Sequence, residues 1–399
     1  MADVKIFLVL ALMLIFAIVG ILLSKRFRQP VSVGIIILGI LLGPSVLGIA
    51  EYDSTVAIIA QLGSIVLLFV AGLNSNIKEI YTKRNFYVAL YGALFPIVGG
   101  FVVSWLFGFD IYQSIFIGAT LTATCLGITS SVLREIGKIK TETAKAMIGA
   151  AVIDDIISLS ILSIVLSVPQ QVGAGTIMLQ LLLVMGFVLA MLFFGERLLT
   201  WIIDYFTDKV IRHSPRLAFV LGLSLVFLFS YIAHILGLAA IVGAFLTGVC
   251  LSKSKAVNIL LAGSEYFEII FTSVFFISIG IVVDLFAFVS LFWFIIALTA
   301  VAIITKMIGS GYTAYKMGFK KKDALIVGVG MAPRGEVAFI IALNGFLLGV
   351  ITKEIYSAIV FMSFLTTVIT IVLLKYLYNA KGSKSVSEEI DFIDLKVRR

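Results

Sequence analysis

Ala150-Ala151-Val152-Ile153-Asp154-Asp155-Ile156-Ile157-Ser158 places two adjacent carboxylates in the middle of an apolar run that extends from about Ala144 to Val168. A run of this length can span a bilayer, and ionisable residues near the middle of a span are costly enough to read as part of an ion or proton pathway. Successive helix positions lie about 100° apart, so Asp154 and Asp155 point toward different neighbours. One can meet a fixed partner while the other faces a cavity. The plainer alternative is a buried acid satisfied by hydroxyls and backbone; two acids in succession argue against it.

Outward from this stretch, the 399 residues are 61% hydrophobic and 13% charged, with a mean hydropathy of +1.18, whereas soluble domains carry about 25% charged residues. The composition specifies an all-α integral membrane protein. Cys125 and Cys250 both fall inside apolar segments, which marks them as packing residues and implies no disulfide framework. Apolar runs fall at about 4–23, 31–47, 55–73, 86–107, 112–133, 144–168, 175–203, 216–233, 236–251, 263–283, 288–315, 323–347 and 354–378, which predicts thirteen transmembrane helices.

The net charge of +8 has its use in topology rather than in nucleic-acid binding, and the bilayer is the partner it implies. Basic residues concentrate in loops after the odd-numbered runs, as in Lys25, Arg26 and Arg28 or Lys320, Lys321 and Lys322, while the other side has only Lys5 and Lys353. Positive loops stay cytoplasmic, so the N-terminus is expected outside the cell membrane and the C-terminus inside. The first run is stopped by Lys25-Arg26-Phe27-Arg28 and lacks a small-residue cleavage pattern, so it is kept as a membrane helix. Residues 1–380 then form the membrane domain and 381–399 a short polar cytoplasmic tail.

Two further runs are poor continuous helices. In run 5, Thr120-Leu121-Thr122-Ala123-Thr124-Cys125-Leu126-Gly127-Ile128-Thr129-Ser130-Ser131 packs hydroxyls and a glycine into the centre of a span. In run 12, Gly328-Val329-Gly330-Met331-Ala332-Pro333-Arg334-Gly335-Glu336 puts glycine, proline, a cation and an anion at mid-membrane. Ser and Thr compete for backbone bonds, and a helix broken at this depth is tolerated only when buried in protein or lining a water-filled cavity. Runs 5 and 12 are an odd number of runs apart, so they cross in opposite directions. That predicts inverted-topology repeats of runs 1–6 and 8–13 joined by run 7, with crossed broken helices at the midplane. Glycines in run 2 (Gly34, Gly39, Gly43) are expected to serve close helix packing. Run 11 adds Lys306, about nine residues or roughly 14 Å from the inner end of its span. Asp154, Asp155 and Arg334 lie at the same depth.

With these motifs in view, the chain resembles the monovalent cation:proton antiporter-2 family, and within it the NapA-type sodium/proton antiporters. The likeness rests on Gly39-Ile40-Leu41-Leu42-Gly43-Pro44, Phe69-Val70-Ala71-Gly72-Leu73, Thr122-Ala123-Thr124-Cys125-Leu126-Gly127-Ile128-Thr129, Val152-Ile153-Asp154-Asp155, Ala239-Ala240-Ile241-Val242-Gly243-Ala244-Phe245 and Gly330-Met331-Ala332-Pro333-Arg334-Gly335-Glu336, in this order. The resemblance implies an NhaA/NapA-like antiporter fold and a homodimer. It implies a dimerisation domain from runs 1–3 and 8–10, a core from runs 4–6 and 11–13 that moves like an elevator, and run 7 as linker. It also implies that Asp155 is the principal ion and proton ligand, that Asp154 pairs with Lys306, and that exchange is electrogenic. Many relatives carry an acid where this chain has Asn74, which argues against an accessory carboxylate there. No nucleotide-binding tail of the potassium-efflux type is expected.

The chemistry follows from competition. A carboxylate in a partly dehydrated cavity can hold a proton or a dehydrated hard cation, but not both, so Asp155 would exchange Na+ (or Li+) for protons. Thr124, Gly127 and Thr129 are candidate additional ligands for the transported Na+ through hydroxyls and freed carbonyls, and Arg334 with Glu336 is expected to be a structural pair. No resident cofactor and no enzymatic activity are implied. The alternatives are a potassium/proton antiporter, a sodium-coupled solute symporter, a cation channel and an intramembrane aspartyl protease. The last needs two carboxylates converging on one water, which neighbours on one helix do not do. His213 and His234 could tune a pH response, though a solvated or packed role is the simpler reading.

Overall fold

In lipid a chain must satisfy each backbone N–H and C=O within its own segment, so the apolar runs form helices. The computed structural model describes residues 2–27, 29–75, 82–165, 182–183, 185–210, 215–236 and 238–378, and the elements among them are helical. The first half contains α1 (Ala2–Phe27), α2 (Val31–Leu42), α3 (Ser54–Leu73), α4 (Lys83–Leu106), α5 (Ile111–Thr120), α6 (Leu126–Glu135) and α7 (Glu142–Val165). Next come α8 (Met185–Asp208), α9 (Pro215–Ile235), α10 (Ala240–Leu251), α11 (Val257–Val282) and α12 (Phe286–Ser290). The chain continues through α13 (Phe292–Lys316), α14 (Lys321–Gly330), α15 (Glu336–Leu347) and α16 (Lys353–Leu377). Among the described residues, nine helices are long and apolar enough to cross a membrane: α1, α3, α4, α7, α8, α9, α11, α13 and α16.

Local sequence sets many of the ends. Asp53 caps α3 by accepting from the Thr55 and Val56 N–H groups, and Asp110 with Gln113 forms a capping box at the start of α5. The second run was expected to continue to residue 47, but α2 stops at Leu42 because Gly43 turns extended ahead of Pro44, which disfavours helix at the residue before it. Residues 175–181 of the seventh run, the tail 381–399 and His213 lie outside the described residues.

Two groups of helices carry the architecture. In one, α2 packs on α1 and α11, α3 on α10 and α11, and α9 on α10. In the other, α4 packs on α5, α7 and α13, α14 on α13, α15 on α5, and α16 on α13 and α15. Contacts in one half of the chain recur in the other: α2 on α11 matches α10 on α3, and α4 on α5 matches α13 on α14. The two crossings of the first pair are built alike from glycine. A Cβ at Gly39 would run into the Ile277 carbonyl and one at Gly280 into the Ile36 carbonyl, while Gly72 and Gly248 stand in the same way against the Phe245 and Phe69 carbonyls. Backbones approach this closely only where no side chain intervenes. The interval from Gly34 to Gly243 is also that from Gly39 to Gly248, so the glycine pattern itself repeats.

π turns interrupt three of the long helices, at Met191–Gly195 in α8, at Glu268–Thr272 in α11 and at Met307–Tyr312 in α13, the last directly after Lys306. A π turn accommodates an extra residue and re-aims the side chains around it, and such turns concentrate at functional sites.

Candidate functional site

Both broken helices break where hydroxyls, proline and glycine oppose helix. At the end of α5 the Thr120 and Thr122 hydroxyls donate to the Ile117 and Ala119 carbonyls, and residues 121–125 leave the helix before α6 begins. Pro333 lacks an N–H and sits in the non-helical stretch between α14 and α15. The two breaks are stitched together. The Cys125 N–H donates to the Pro333 carbonyl at 2.8 Å, and the Thr129 hydroxyl donates to the Gly330 carbonyl at 2.6 Å.

On this crossing sits a buried ion pair. Lys306 Nζ lies 2.9 Å from each carboxylate oxygen of Asp154, and both side chains are fully enclosed. The Thr124 hydroxyl is 2.6 Å from Asp154 Oδ2 and 3.0 Å from the Met331 carbonyl, so it ties the pair to both breaks. Asp155 points elsewhere, as the helical turn of about 100° per residue requires. It is partly buried, and its Oδ1 is enclosed without a hydrogen-bond partner.

Arg334 and Glu336, expected as a structural pair, take separate partners. The break leaves carbonyls just past the end of α5 without N–H donors, and the guanidinium, 1% exposed, supplies them. It donates to the Thr122 and Ala123 carbonyls and, at 3.2 Å, to the Ala302 carbonyl one turn before Lys306. Glu336 instead opens α15, where a carboxylate suits the positive end of the helix dipole, and accepts from Cys125 Sγ at 3.1 Å. Arg334→Ala orphans buried acceptors at roughly 1–3 kcal/mol each. It is therefore expected to lower the unfolding midpoint of the solubilised protein by several degrees, with partial recovery in Arg334→Lys, whose single ammonium cannot span the same fork of carbonyls.

A cavity of about 500 Å³ opens between the two helix groups at the end of the bundle that carries Lys25. Its walls include Ser24, Leu67 and Glu268 on one side and Gly127, Ile128 and Glu336 on the other. Asp155 lies within Coulombic reach of Glu336. Of the three candidate ligands, Gly127 lines the cavity, whereas the Thr124 and Thr129 hydroxyls are engaged in the crossing. Asn74 turns its amide back onto the Val70 carbonyl, and His234 is exposed near the end of α9. Sequence reasoning missed the cavity residues Ser24, Glu268 and Thr272. The one legible sign was Glu268, an acid well inside a long apolar helix.

This arrangement offers one neutralised buried pair and one unpartnered carboxylate at a helix crossing, the elements of a site that can alternate between a proton and a cation. Comparison with known proteins agrees. The family model described as "Sodium/hydrogen exchanger, transmembrane" matches residues 12–377. The Na(+)/H(+)-K(+) antiporter GerN of Bacillus cereus is 36% identical over 362 residues, covering 90% of this chain and 92% of that protein. A Na(+)/H(+) antiporter of Enterococcus hirae is 33% identical over 374 residues, covering 92% and 97%. In fold, the chain is similar to the sodium proton antiporter MjNhaP1 from Methanocaldococcus jannaschii, with a TM-score of 0.76 at 16% identity over 94% of this chain and 97% of that one.

Proposed function

The chain belongs to the transmembrane sodium/hydrogen exchanger family, a family of transporters rather than enzymes, and on that footing we propose that Asp155 is its exchange site. The observation that carries this is the partly buried Asp155 carboxylate, its Oδ1 enclosed and unpartnered, standing beside a fully buried Lys306–Asp154 pair. Charge attracts a dehydrated cation to Asp155 when the proton leaves, and the proton displaces the cation on return. One carboxylate serves both, so neither ion crosses without the other being released.

The finer properties follow from the same site. Two protons move inward for each sodium (or lithium) ion exported, because Lys306 carries the second proton, and exchange is electrogenic. The group containing α4–α7 and α13–α16 moves as a core against the group containing α1–α3 and α9–α11, with α8 as linker, and the cavity between them opens and closes in an elevator-type cycle. Thirteen spans in inverted repeats, a homodimer in the cell membrane, the N-terminus outside and the C-terminus in the cytoplasm complete the assignment. Supporting it are the repeated glycine crossings and the basic residues gathered at one end.

A potassium/proton exchange has one observation in its favour, the name of the 36% identical Bacillus cereus relative as an Na(+)/H(+)-K(+) antiporter. A panel of cations in proteoliposomes, with proton movement followed by a pH-sensitive dye, separates the two. Sodium and lithium are expected to drive proton movement and potassium to fall behind both. Potassium matching sodium overturns the sodium preference, and proton movement indifferent to every cation overturns exchange itself.

A further inference from the structure

The buried lysine has a donor to spare. An ammonium carries three N–H donors, and Lys306 makes two hydrogen bonds among the described residues, one to each Asp154 oxygen at 2.9 Å. Beside its Nζ, the neighbouring helix carries no side chain. A Cβ at Gly92 in α4 would stand 3.6 Å from Lys306 Nζ and would run into the Ser310 hydroxyl of α13. Lys306 and Ser310, both fully buried, therefore border one gap that glycine keeps open. Ser310 Oγ donates to the Val88 carbonyl, one turn before Gly92, at 3.2 Å. A hydroxyl oxygen also accepts, and among the described residues no group donates to this one.

Glycine also fixes the backbone on either side of the gap. Gly309, in the π turn Met307–Tyr312, lies so close to α4 that a Cβ there would strike the Tyr91 carbonyl. From α14, a Cβ at Gly328 would stand 2.9 Å from the Met307 Cα and 3.1 Å from the Gly311 Cα. The turn is thus held by two helices that approach it through glycine, and it presents Ser310 to α4 four residues after Lys306. Because α4, α13 and α14 pack within one helix group, the gap stays with the ion pair wherever that group moves.

On the footing that Lys306 leaves Asp154 during exchange, we propose that Ser310, across the gap at Gly92, is the positioning residue that receives the Lys306 amine when the pair opens. The lysine stem is flexible, so Nζ can change partner without movement of the backbone. A hydroxyl suits the amine in either state, because it accepts from the ammonium and donates to the neutral amine once the proton has gone. Without such a partner, opening the pair would strand a polar group in a fully enclosed place, and that penalty would slow every cycle. Gly92 supplies the room: an alanine there fills the gap and displaces the hydroxyl.

The test pairs sodium-driven proton movement in proteoliposomes with thermal unfolding of the solubilised full-length protein. Ser310→Ala is expected to slow proton movement about tenfold, the scale of one hydrogen bond to a charged group, while unfolding close to the native midpoint because the Asp154 pair is untouched. Gly92→Ala is expected to slow it as well and to destabilise, since its Cβ pushes on the Ser310 hydroxyl. In the double variant the two Cβ atoms stand 3.5 Å apart, an ordinary contact, so stability is expected to return and the rate to stay low. A third arm does not depend on transport. Asp154→Leu offers no acceptor and sends Lys306 to Ser310, so adding Ser310→Ala is expected to lower the midpoint by several degrees more than it does in the native protein. A serine that only braces Val88 costs the same in both backgrounds. Native rates in Ser310→Ala, a recovered rate in the double variant, or equal midpoint losses in a protein that exchanges each overturn the role of Ser310 alone. A native protein without sodium-driven proton movement overturns the exchange reading and this role with it.

Discussion

Asp155→Asn is expected to abolish sodium-dependent proton movement in proteoliposomes while leaving the protein as stable as the native form. The two halves of this outcome have separate causes. Asparagine cannot take up a proton, and it removes the charge that holds the cation. A unit charge at 4 Å with an effective dielectric constant near 20 contributes about 4 kcal/mol, which corresponds to roughly a thousandfold in affinity. Stability is spared because the enclosed Asp155 Oδ1 has no hydrogen-bond partner to lose. Thermal unfolding of the solubilised variant checks the second half and flux checks the first. A variant that still takes up sodium in a pH-dependent way shows that exchange runs through another group, with Glu336, on the cavity wall, next in line.

Much of this was visible in the chain before any coordinates. Helices lie on the predicted runs because hydropathy and the demand for internal backbone bonding act residue by residue. Both breaks fall at the Thr/Gly and Pro/Gly clusters expected of them, since those residues act locally. Depth along the spans brought Asp154 and Lys306 to one level, and the 2.9 Å pair is where family resemblance placed it. What failed was inference from sequence proximity alone. Arg334 and Glu336 are two residues apart, yet the helix that starts at Glu336 sends them to different surroundings. Arg334 is claimed by the Ala123 carbonyl in the break after α5 and by that of Ala302, which no local pattern links to it. Likewise Ser24, Glu268 and Thr272 line one cavity only through packing between α1 and α11, which local sequence does not show.

Lys306→Gln is expected to remove the response of exchange to membrane potential and to destabilise the protein. Breaking one partner of a buried pair typically costs 3–5 kcal/mol because the other charge is left uncompensated, and Asp154 has no exposed surface through which water could replace the ammonium. The carboxylate keeps only the Thr124 hydroxyl at 2.6 Å. The double variant Asp154→Asn with Lys306→Gln removes both charges and is expected to be more stable than either single variant, a coupling that a double-mutant cycle measures directly. Transport decides what the pair is for. If Lys306 releases its proton when Asp155 takes a cation and regains it when the pair reforms, each cycle moves one net charge. An imposed potential then adds about 2.3 kcal/mol per 100 mV. With glutamine at this position that second proton has no carrier, and whatever exchange survives is electroneutral. An active Lys306→Gln protein whose exchange still quickens with an inside-negative potential instead makes Lys306 a brace for Asp154 and the helix crossing. The second proton would then have to travel on another group, while Asp155 keeps its place as the site of competition.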